Sequence, residues 1–197
     1  MTARIGAIVL AGGKSSRFGR DKLAEPLLGR PLLHHAVAAV QVIATDVIVV
    51  VAPGATIDPP AGARLVHDAQ AFEGPLAGLA AGLVALDLAV DRLVVVAGDM
   101  PSLEPAVLAR LLAALGPSTE VAVLELDGRA LPLPMALRRA EAMAVASRLL
   151  ASGERRLRAL PDALATQVIA EATWRLDDPG GATLRDIDTQ ADLVDAG

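Results

Sequence analysis

The segment LAGGKSSRFGRDK, residues 10–22, carries residue types that suit the binding of an anion. Its glycines and serines allow backbone N–H groups to approach a ligand closely, and N–H groups arranged in this way bind phosphate. The segment also holds four cations that can neutralise phosphate charge: Lys14, Arg17, Arg20 and Lys22. It therefore predicts contact with a phosphorylated ligand, and the alternative is a solvated loop that happens to be basic.

The spacing of the glycines excludes two familiar phosphate-binding patterns. A P-loop requires G-x-x-x-x-G-K-[ST], whereas here five residues separate Gly13 from Gly19 and Arg20 follows. The G-x-G-x-x-G pattern of dinucleotide-binding folds is absent from the segment as well. The predicted phosphate contact is thus of another kind.

Two carboxylates follow short runs that contain Val and Leu, at points where buried strands are expected to end. Asp99 follows the run 92–98, and Asp68 follows the run 63–67. In open α/β sheets ligands bind outside the carboxyl ends of the strands, so both carboxylates are expected near residues 10–22. A carboxylate at that edge suits Mg²⁺ bound between nucleotide phosphates, which makes Asp99 the predicted metal ligand. The alternatives are a capping role for Asp99 and a turn role for Asp68.

The order of the predicted elements favours one fold class. Val- and Ile-rich runs of strand length alternate with helical patterns that have Pro near their first turn. The predicted strands are 5–10, 46–53, 63–68 and 92–99, and the predicted helices are 30–42, 74–88 and 104–115. This alternation predicts a Rossmann-like, doubly wound α/β fold with a mainly parallel sheet and helices on both faces.

The second half of the chain is less regular, but its elements can still be predicted. Turn residues and apolar patterning locate them. The expected elements are two strands within 120–137 around the turn Asp127-Gly128, one or two helices within 138–164 broken near Ser152-Gly153, a strand at 166–170 and a terminal helix at 188–197.

Composition limits the classes of function. The chain of 197 residues has no repeat or linker and suits a single domain, and its lack of cysteine excludes disulfides and thiolate metal sites. A formal net charge of −5 argues against nucleic-acid binding, because such domains usually carry excess positive charge. No stretch approaches the ~20 apolar residues of a membrane span, and the apolar run 5–11 is too short for a signal peptide. We therefore expect a soluble, cytoplasmic protein.

Four features in order resemble one family: LAGGKSSRFGRDK at 10–22, Asp68, GPLAGL at 74–79 and AGDMP at 97–101. Together they are similar to the molybdenum cofactor guanylyltransferases, which are nucleotidyltransferases. The family opens close to LAGG-x-S-x-R-M-G-x-D-K, from which this chain departs only at Phe18. Later segments, 152–160 and 184–193, resemble the family too, so the similarity covers nearly the whole chain.

The resemblance implies a function and its ligands. The fold would be of the nucleotide-diphospho-sugar transferase type, with a nucleotide half of about 1–100 and an acceptor half of about 101–197 in one domain. The reaction would transfer GMP from GTP to the terminal phosphate of molybdopterin, with Mg²⁺ as cofactor and pyrophosphate as the second product. Transient contact with cofactor-handling proteins or molybdoenzyme chaperones would fit this role, whereas nucleic acid and membranes are not expected partners.

The choice of base also follows from the resemblance. Related cytidylyltransferases of the same cofactor tend to have LAAG in place of LAGG and usually lack the GPLAG helix start. Gly13, Asp21 and residues 74–78 therefore favour guanine. A cytidylyltransferase, a nucleotidyltransferase for another small phosphorylated acceptor, and a nucleotide-binding module without catalysis stay open as alternatives.

The resemblance assigns roles to individual residues. Arg17, Lys22 and Asp99 would be catalytic, and Asp99 would hold the metal. The nucleotide-binding residues would be Leu10, Ala11, Gly12, Gly13, Lys22, Asp68 and Asp99. The acceptor-binding residues would be Arg17, Gly19, Gly74, Gly78, Arg155, Arg156, Asp186 and Asp188. For Arg155 and Arg156 a solvated helix start is the alternative.

The last two acceptor positions depart from the family pattern. The family has two asparagines in an N-x-N-T segment where this chain has Asp186 and Asp188. Aspartate accepts hydrogen bonds but cannot donate those of an amide, and it adds negative charge near a phosphate. The departure leaves the identity of the acceptor more open than that of the nucleotide.

Overall fold

The computed structural model describes residues 4–12, 22–55, 57–58, 60–68, 74–187, 189 and 192–193. Within these residues the strands are β1 (Arg4–Ala11), β2 (Pro26–Leu27), β3 (Arg30–Pro31), β4 (Asp46–Val51), β5 (Ala63–His67), β6 (Val90–Ala97), β7 (Val121–Leu126), β8 (Arg129–Arg138) and β9 (Thr166–Ile169). The α-helices are α1 (Leu32–Gln41), α2 (Pro75–Ala85), α3 (Pro105–Ala113), α4 (Arg139–Ala151), α5 (Ala159–Ala163) and α6 (Glu171–Trp174). Two 3₁₀ turns occupy Lys22–Ala24 and Ala182–Leu184.

Seven of the strands form one sheet, in the order β5-β4-β1-β6-β8-β7-β9. The first four run parallel, β8 runs antiparallel to both of its neighbours, and β9 runs parallel to β7. Leu10 of β1 lies opposite Val50 of β4 and Ala97 of β6. Because these residues are paired side by side across parallel strands, the loops that follow the three strands meet at one edge of the sheet.

Helices cover both faces of the sheet, and each face has its own core. Val9, Val49 and Val96 point to the face that α1 and α3 cover. Their neighbours Ile8 and Val95 point to the other face, against α2 and α4. Burial of such side chains contributes about 1.5–3 kcal/mol each, so the two cores hold the strand ends in fixed positions.

One helix glycine is required by close packing against the sheet. A Cβ added at Gly82 of α2 would lie 2.9 Å from both Cγ2 and Cδ1 of Ile8 in β1. The helix therefore sits directly on the strand, and its amino-terminal end reaches the edge where β1 ends.

The predicted fold class is confirmed, including the mainly parallel sheet and the helices on both faces. Apart from the terminal helix, the predicted strands and helices are present among the described residues, with ends shifted by a few residues. The helix predicted at 74–88 ends at Ala85 because Leu86 adopts an extended backbone conformation. The pair β2–β3 and the short helix α6 were not predicted. The terminal helix expected at 188–197 falls largely outside the described residues.

The described helices are shorter than the thickness of the hydrocarbon core of a lipid bilayer. The longest helix among the described residues, α4, has 13 residues. In the part of the chain that the structure describes, none is long and apolar enough to cross a membrane.

Candidate active site

A cleft of ≈ 500 Å³ opens at the carboxyl ends of β4, β1 and β6. Most of the predicted site residues that the structure describes line it: Leu10, Ala11, Gly12, Lys22, Asp68, Gly74, Gly78 and Asp99. The sheet order explains this grouping, because β5 and β6, which precede Asp68 and Asp99, flank β4 and β1. The cleft lies where ligands bind in open α/β sheets.

Lys22 and Asp99 form an ion pair at the β6 side of the cleft. The Nζ of Lys22 lies 2.7 Å from Oδ2 of Asp99, and the side chains are 14% and 22% exposed. The same Nζ donates a hydrogen bond to the Ile187 carbonyl oxygen at 3.0 Å. A partly buried ammonium and carboxylate side by side can bind the two parts of a metal–phosphate complex.

The backbone around Asp99 is fixed from two sides. The Gly98 N–H donates to the Leu10 carbonyl at 2.9 Å, and the Ile187 N–H donates to the Asp99 carbonyl at 3.0 Å. A Cβ at Gly98 would lie 3.1 Å from Cδ1 of Leu33, so β6 turns here in tight contact with α1. The carboxylate thus projects from an anchored turn.

Asp68 marks the other end of the cleft. Its N–H donates to the Val51 carbonyl at 2.9 Å, which fixes Asp68 at the end of β5. Gly78 of α2 lies beside it, because an added Cβ would be 3.9 Å from Oδ2 of Asp68 and 3.6 Å from Cγ1 of Val50. Gly78, predicted for the acceptor, therefore lies next to predicted nucleotide residues, where its missing side chain leaves room for a ligand.

Gly74 joins the cleft to the turn that holds the two predicted arginines. Its φ of +90° precedes the first turn of α2. An added Cβ would lie 2.8 Å from the Arg155 carbonyl oxygen, which also accepts a hydrogen bond from Leu76 N–H. Both the backbone angle and the close contact require glycine at this position.

Arg155 and Arg156 are not among the residues that line the cleft, although Arg155 lies beside Gly74, which does. The Arg155 guanidinium donates to the carbonyls of Leu150 and Glu154. Arg156 donates to both carboxylate oxygens of Glu154, at 3.0 and 2.6 Å. Hydrogen bonds from the side chain and N–H of Arg156, and from Arg155 N–H, lower the pKa of Glu154 to about 2.

This low pKa gives a prediction for stability in acid. A carboxyl whose folded-state pKa is depressed stabilises the fold above its unfolded pKa, and this contribution is lost as pH falls toward the folded value. We expect Glu154→Gln to lower the Tm slightly at neutral pH, with a difference from wild type that disappears between about pH 4.5 and about pH 2. Thermal denaturation across this range measures it, and a difference that is independent of pH would contradict the assignment.

The remaining predicted residues differ in their placement. Asp186 is described but does not line the cleft, although its neighbour Ile187 contacts Lys22 and Asp99. Gly13, Arg17, Gly19 and Asp188 lie outside the described residues.

The structure adds cleft residues that the sequence did not single out. Ala52 and Pro53, directly after β4, line the cleft beside residues 50–51, and Leu133 of β8 lines it from the other side of β6. The run 46–53 ends in Ala-Pro, which is a weak signal that could have identified the first two. Nothing local points to Leu133, because its position depends on β8 pairing with β6.

The described residues contain no group of three or more His, Asp or Glu side chains that could hold a metal ion alone. Mg²⁺ is usually bound through one or two carboxylates together with substrate phosphates and water. Asp99, a hard oxygen ligand in a cleft with room for a nucleotide, fits that mode.

The chain also matches known proteins. The sequence profile of the MobA-like NTP transferase domain matches residues 7–168. The chain belongs to the MobA-like NTP transferase family. This membership confirms the predicted enzyme class, a nucleotidyltransferase, and the matched range includes the cleft residues from Leu10 to Leu133.

Relatives within the MobA-like family share one description. The chain is 37% identical over 193 residues to a probable molybdenum cofactor guanylyltransferase of Chloroflexus aggregans, covering 94% of this chain and 90% of the relative. It is 35% identical over 193 residues to a protein with the same description from Mycobacterium avium, covering 96% and 93%. The resemblance inferred from the sequence motifs is confirmed.

Solved structures support the fold. Molybdopterin-guanine dinucleotide biosynthesis protein A of Archaeoglobus fulgidus superposes with a TM-score of 0.76 at 21% identity, covering 97% of this chain and 96% of that one. A 4-diphosphocytidyl-2C-methyl-D-erythritol synthase from Anaerococcus prevotii gives 0.71 at 17% identity, covering 98% and 96%. At these identities the likeness establishes the fold and does not select the base or the acceptor.

Proposed function

We propose that this MobA-like protein transfers GMP from GTP to the terminal phosphate of molybdopterin and releases pyrophosphate. The observation that carries the proposal is the single cleft lined by Asp68 near β5 and by the Lys22–Asp99 pair near β6. Relatives with at least 35% identity over most of the chain are described as guanylyltransferases, which favours this function over a cytidylyltransferase or a non-catalytic module.

The nucleoside is proposed to occupy the part of the cleft at β4 and β5. The wall there consists of Val50, Val51, Ala52 and Pro53, whose side chains offer no hydrogen-bonding group. Recognition of the base and ribose therefore depends on backbone groups and on the Asp68 carboxylate, which accepts hydrogen bonds from N–H or O–H donors. The triphosphate then extends toward Lys22 and Asp99.

Mg²⁺ is the metal we propose for this site, held by Asp99 together with phosphate oxygens. When bound, it supplies positive charge against the phosphate oxygens on which negative charge develops. Lys22 supplies a second positive charge at the same place, and its low exposure strengthens that interaction. Arg17 lies outside the described residues, and its catalytic role, alongside Lys22 and Asp99, stays a prediction.

The reaction is a substitution at the α-phosphorus of GTP. An oxygen of the acceptor's terminal phosphate forms a bond to this phosphorus, and the bond to the bridging oxygen of the β-phosphate breaks. The electron pair leaves with pyrophosphate. A phosphate nucleophile is already ionised at neutral pH, so catalysis consists of positioning two anions and neutralising their charge.

The acceptor is proposed to approach from the β8 side, beyond Asp99. Leu133 offers an apolar contact there, and Gly74, which also lines the cleft, contacts the turn of Arg155 and Arg156. In this arrangement the nucleotide half is about 1–100 and the acceptor half about 101–197. Asp186 and Asp188 stay proposed acceptor residues. We expect the reaction in the cytoplasm, with contact to cofactor-handling proteins or molybdoenzyme chaperones.

Nucleotide selectivity tests the proposed function. We expect GTP with Mg²⁺ to raise the Tm more than CTP, ATP or UTP, because a ligand that binds only the folded state stabilises it by about 2.7 kcal/mol at a hundredfold excess over its Kd. Thermal-shift titrations measure this, and a transfer assay with GTP and molybdopterin then measures dinucleotide formation. A preference for CTP, or dinucleotide formation from CTP alone, would overturn the guanylyltransferase proposal.

A further inference from the structure

Residues 178–187, the C-terminal segment, are tied to the loop that carries Asp99. Three residues of the segment form the hydrogen bonds that hold it in place: Asp178, Thr183 and Ile187. The first organises the segment internally, and the other two join it to residues 99–104. The proposed reaction assigns Asp186 of this segment to the acceptor but gives Asp178, Thr183 and Ile187 no role, so the attachment of these three residues calls for a separate explanation.

Asp178 organises a tight turn within the C-terminal segment. Its side chain is only 5% exposed and accepts hydrogen bonds from Thr183 N–H at 2.7 Å and Ala182 N–H at 3.0 Å. Burial raises the pKa of Asp178, but the hydrogen bonds from Thr183, Ala182 and Gly181 outweigh burial and leave this pKa lowered. The ionised carboxylate thus shapes the 3₁₀ turn that contains Thr183.

Thr183 joins this turn to the loop after β6. It is fully buried, and its hydroxyl oxygen accepts a hydrogen bond from Glu104 N–H at 3.1 Å. Glu104 is the residue directly before α3. The bond therefore sets the distance between the C-terminal segment and the far end of the loop that begins at Asp99.

Ile187 completes the attachment beside the proposed catalytic pair. Its side chain is 2% exposed and packs in the core under α1 and α3. Its N–H donates to the Asp99 carbonyl, and its own carbonyl accepts from Lys22 Nζ. One residue thus contacts both members of the ion pair, and any shift of Ile187 moves the oxygen that orients the Lys22 ammonium.

We infer that Thr183 and Asp178 are positioning residues, which hold Ile187 so that it orients Lys22 and Asp99 for the proposed reaction. Neither residue lines the cleft. Their effect passes through the Ile187 backbone, whose two hydrogen bonds hold the Lys22 ammonium and the Asp99 turn in fixed relative positions. This inference rests on the proposed function for its effect on turnover, but its structural part can be measured without turnover.

The test compares Thr183→Val, which removes the hydroxyl at nearly constant shape, with Thr183→Ser, which keeps it. Residues that orient the ligands of a metal typically contribute about 10- to 100-fold in metal affinity or activity. We expect Thr183→Val to lower kcat and raise the half-saturating Mg²⁺ concentration within that range, and Thr183→Ser to restore both. Asp178→Asn should likewise lower kcat and raise the half-saturating Mg²⁺ concentration, which gives a second variant if Thr183→Val does not fold.

A second readout needs no catalysis. Amide hydrogen exchange in the free protein should be faster at Ile187 in Thr183→Val than in wild type, and near wild type in Thr183→Ser. If wild type fails to transfer GMP, the proposed function falls, and the exchange result still decides whether Thr183 positions Ile187. Unchanged exchange at Ile187 in Thr183→Val would overturn the inference.

The matched control is Asp177→Asn. Asp177 adjoins Asp178 and binds Arg110 of α3 through both carboxylate oxygens, so its loss also weakens attachment of this region. Among the described residues, no hydrogen bond or ion pair joins it to Ile187 or Glu104. We expect Asp177→Asn to lower the Tm and leave the Mg²⁺ dependence unchanged. If Asp177→Asn and Thr183→Val lost equal activity at equal losses of Tm, the role of Thr183 would be general stabilisation of the fold and not positioning of Ile187.

Discussion

Replacing Asp99 by Asn is expected to lower kcat/KM for GMP transfer by about 10²- to 10³-fold, the range for removal of one preorganised electrostatic group from an active site. The amide is a poor ligand for Mg²⁺ and a poor partner for the Lys22 ammonium that lies 2.7 Å from the carboxylate. The fold is expected to survive, because the Asp99 backbone carbonyl still accepts the Ile187 N–H. Steady-state kinetics with GTP and molybdopterin, at several Mg²⁺ concentrations, measures the loss.

Asp177→Asn is the control for this variant as well. Asp99 and Asp177 have equal side-chain exposure, 22%, and each forms an ion pair with a basic residue. Only Asp99 lines the cleft. If Asp99→Asn kept turnover within a few-fold of wild type, the proposed metal site would be wrong, whatever its effect on Tm.

The second large effect is expected for Lys22→Met. The ammonium lies at 14% exposure in the cleft, where its charge acts on phosphate with little screening by water. Methionine keeps much of the side-chain volume, so the expected loss of about 10²- to 10³-fold in kcat/KM comes from charge. GTP should also raise the Tm less than in wild type, because the ground-state triphosphate loses the same contact.

Arg64→Met provides a control with an ion pair of the same length. Arg64 lies 2.7 Å from Asp46 but is more exposed and belongs to β5, away from the cleft lining. Exposed pairs of this kind contribute about 0–1 kcal/mol, so turnover and the response to GTP should stay near wild type. Normal turnover in Lys22→Met would remove Lys22 from the proposed mechanism.

Local patterning in the sequence determined the strands and helices and, through them, the place of the site. Continuous Val/Ile runs require burial on both faces, which favours parallel strands between helices. Parallel strands carry their carboxyl ends to one edge, so Asp68, Asp99 and residues 10–12 could be expected together before any contact was known. The structure places them in one cleft for this reason.

Tertiary structure alone decided which distant segments complete the site. Lys22 donates to the carbonyl of Ile187, 165 residues away, and no periodicity or turn signal predicts this pairing. Leu133 reaches the cleft because antiparallel β8 inserts between β6 and β7. The two arginines of the SGERR segment donate to Glu154 and to nearby carbonyls, and their contact with the acceptor stays a prediction.

The physical reason for this division is the range of the forces involved. The pattern of buried residues and the geometry of turns depend on only a few neighbouring residues, so each segment of the sequence determines them locally. Sheet order, and the hydrogen bonds of a buried backbone such as that of Ile187, depend on which surfaces remain to be covered once all the segments pack together. The sequence thus fixes the strand ends that bear charge, and the packed fold sets the distances among those charges.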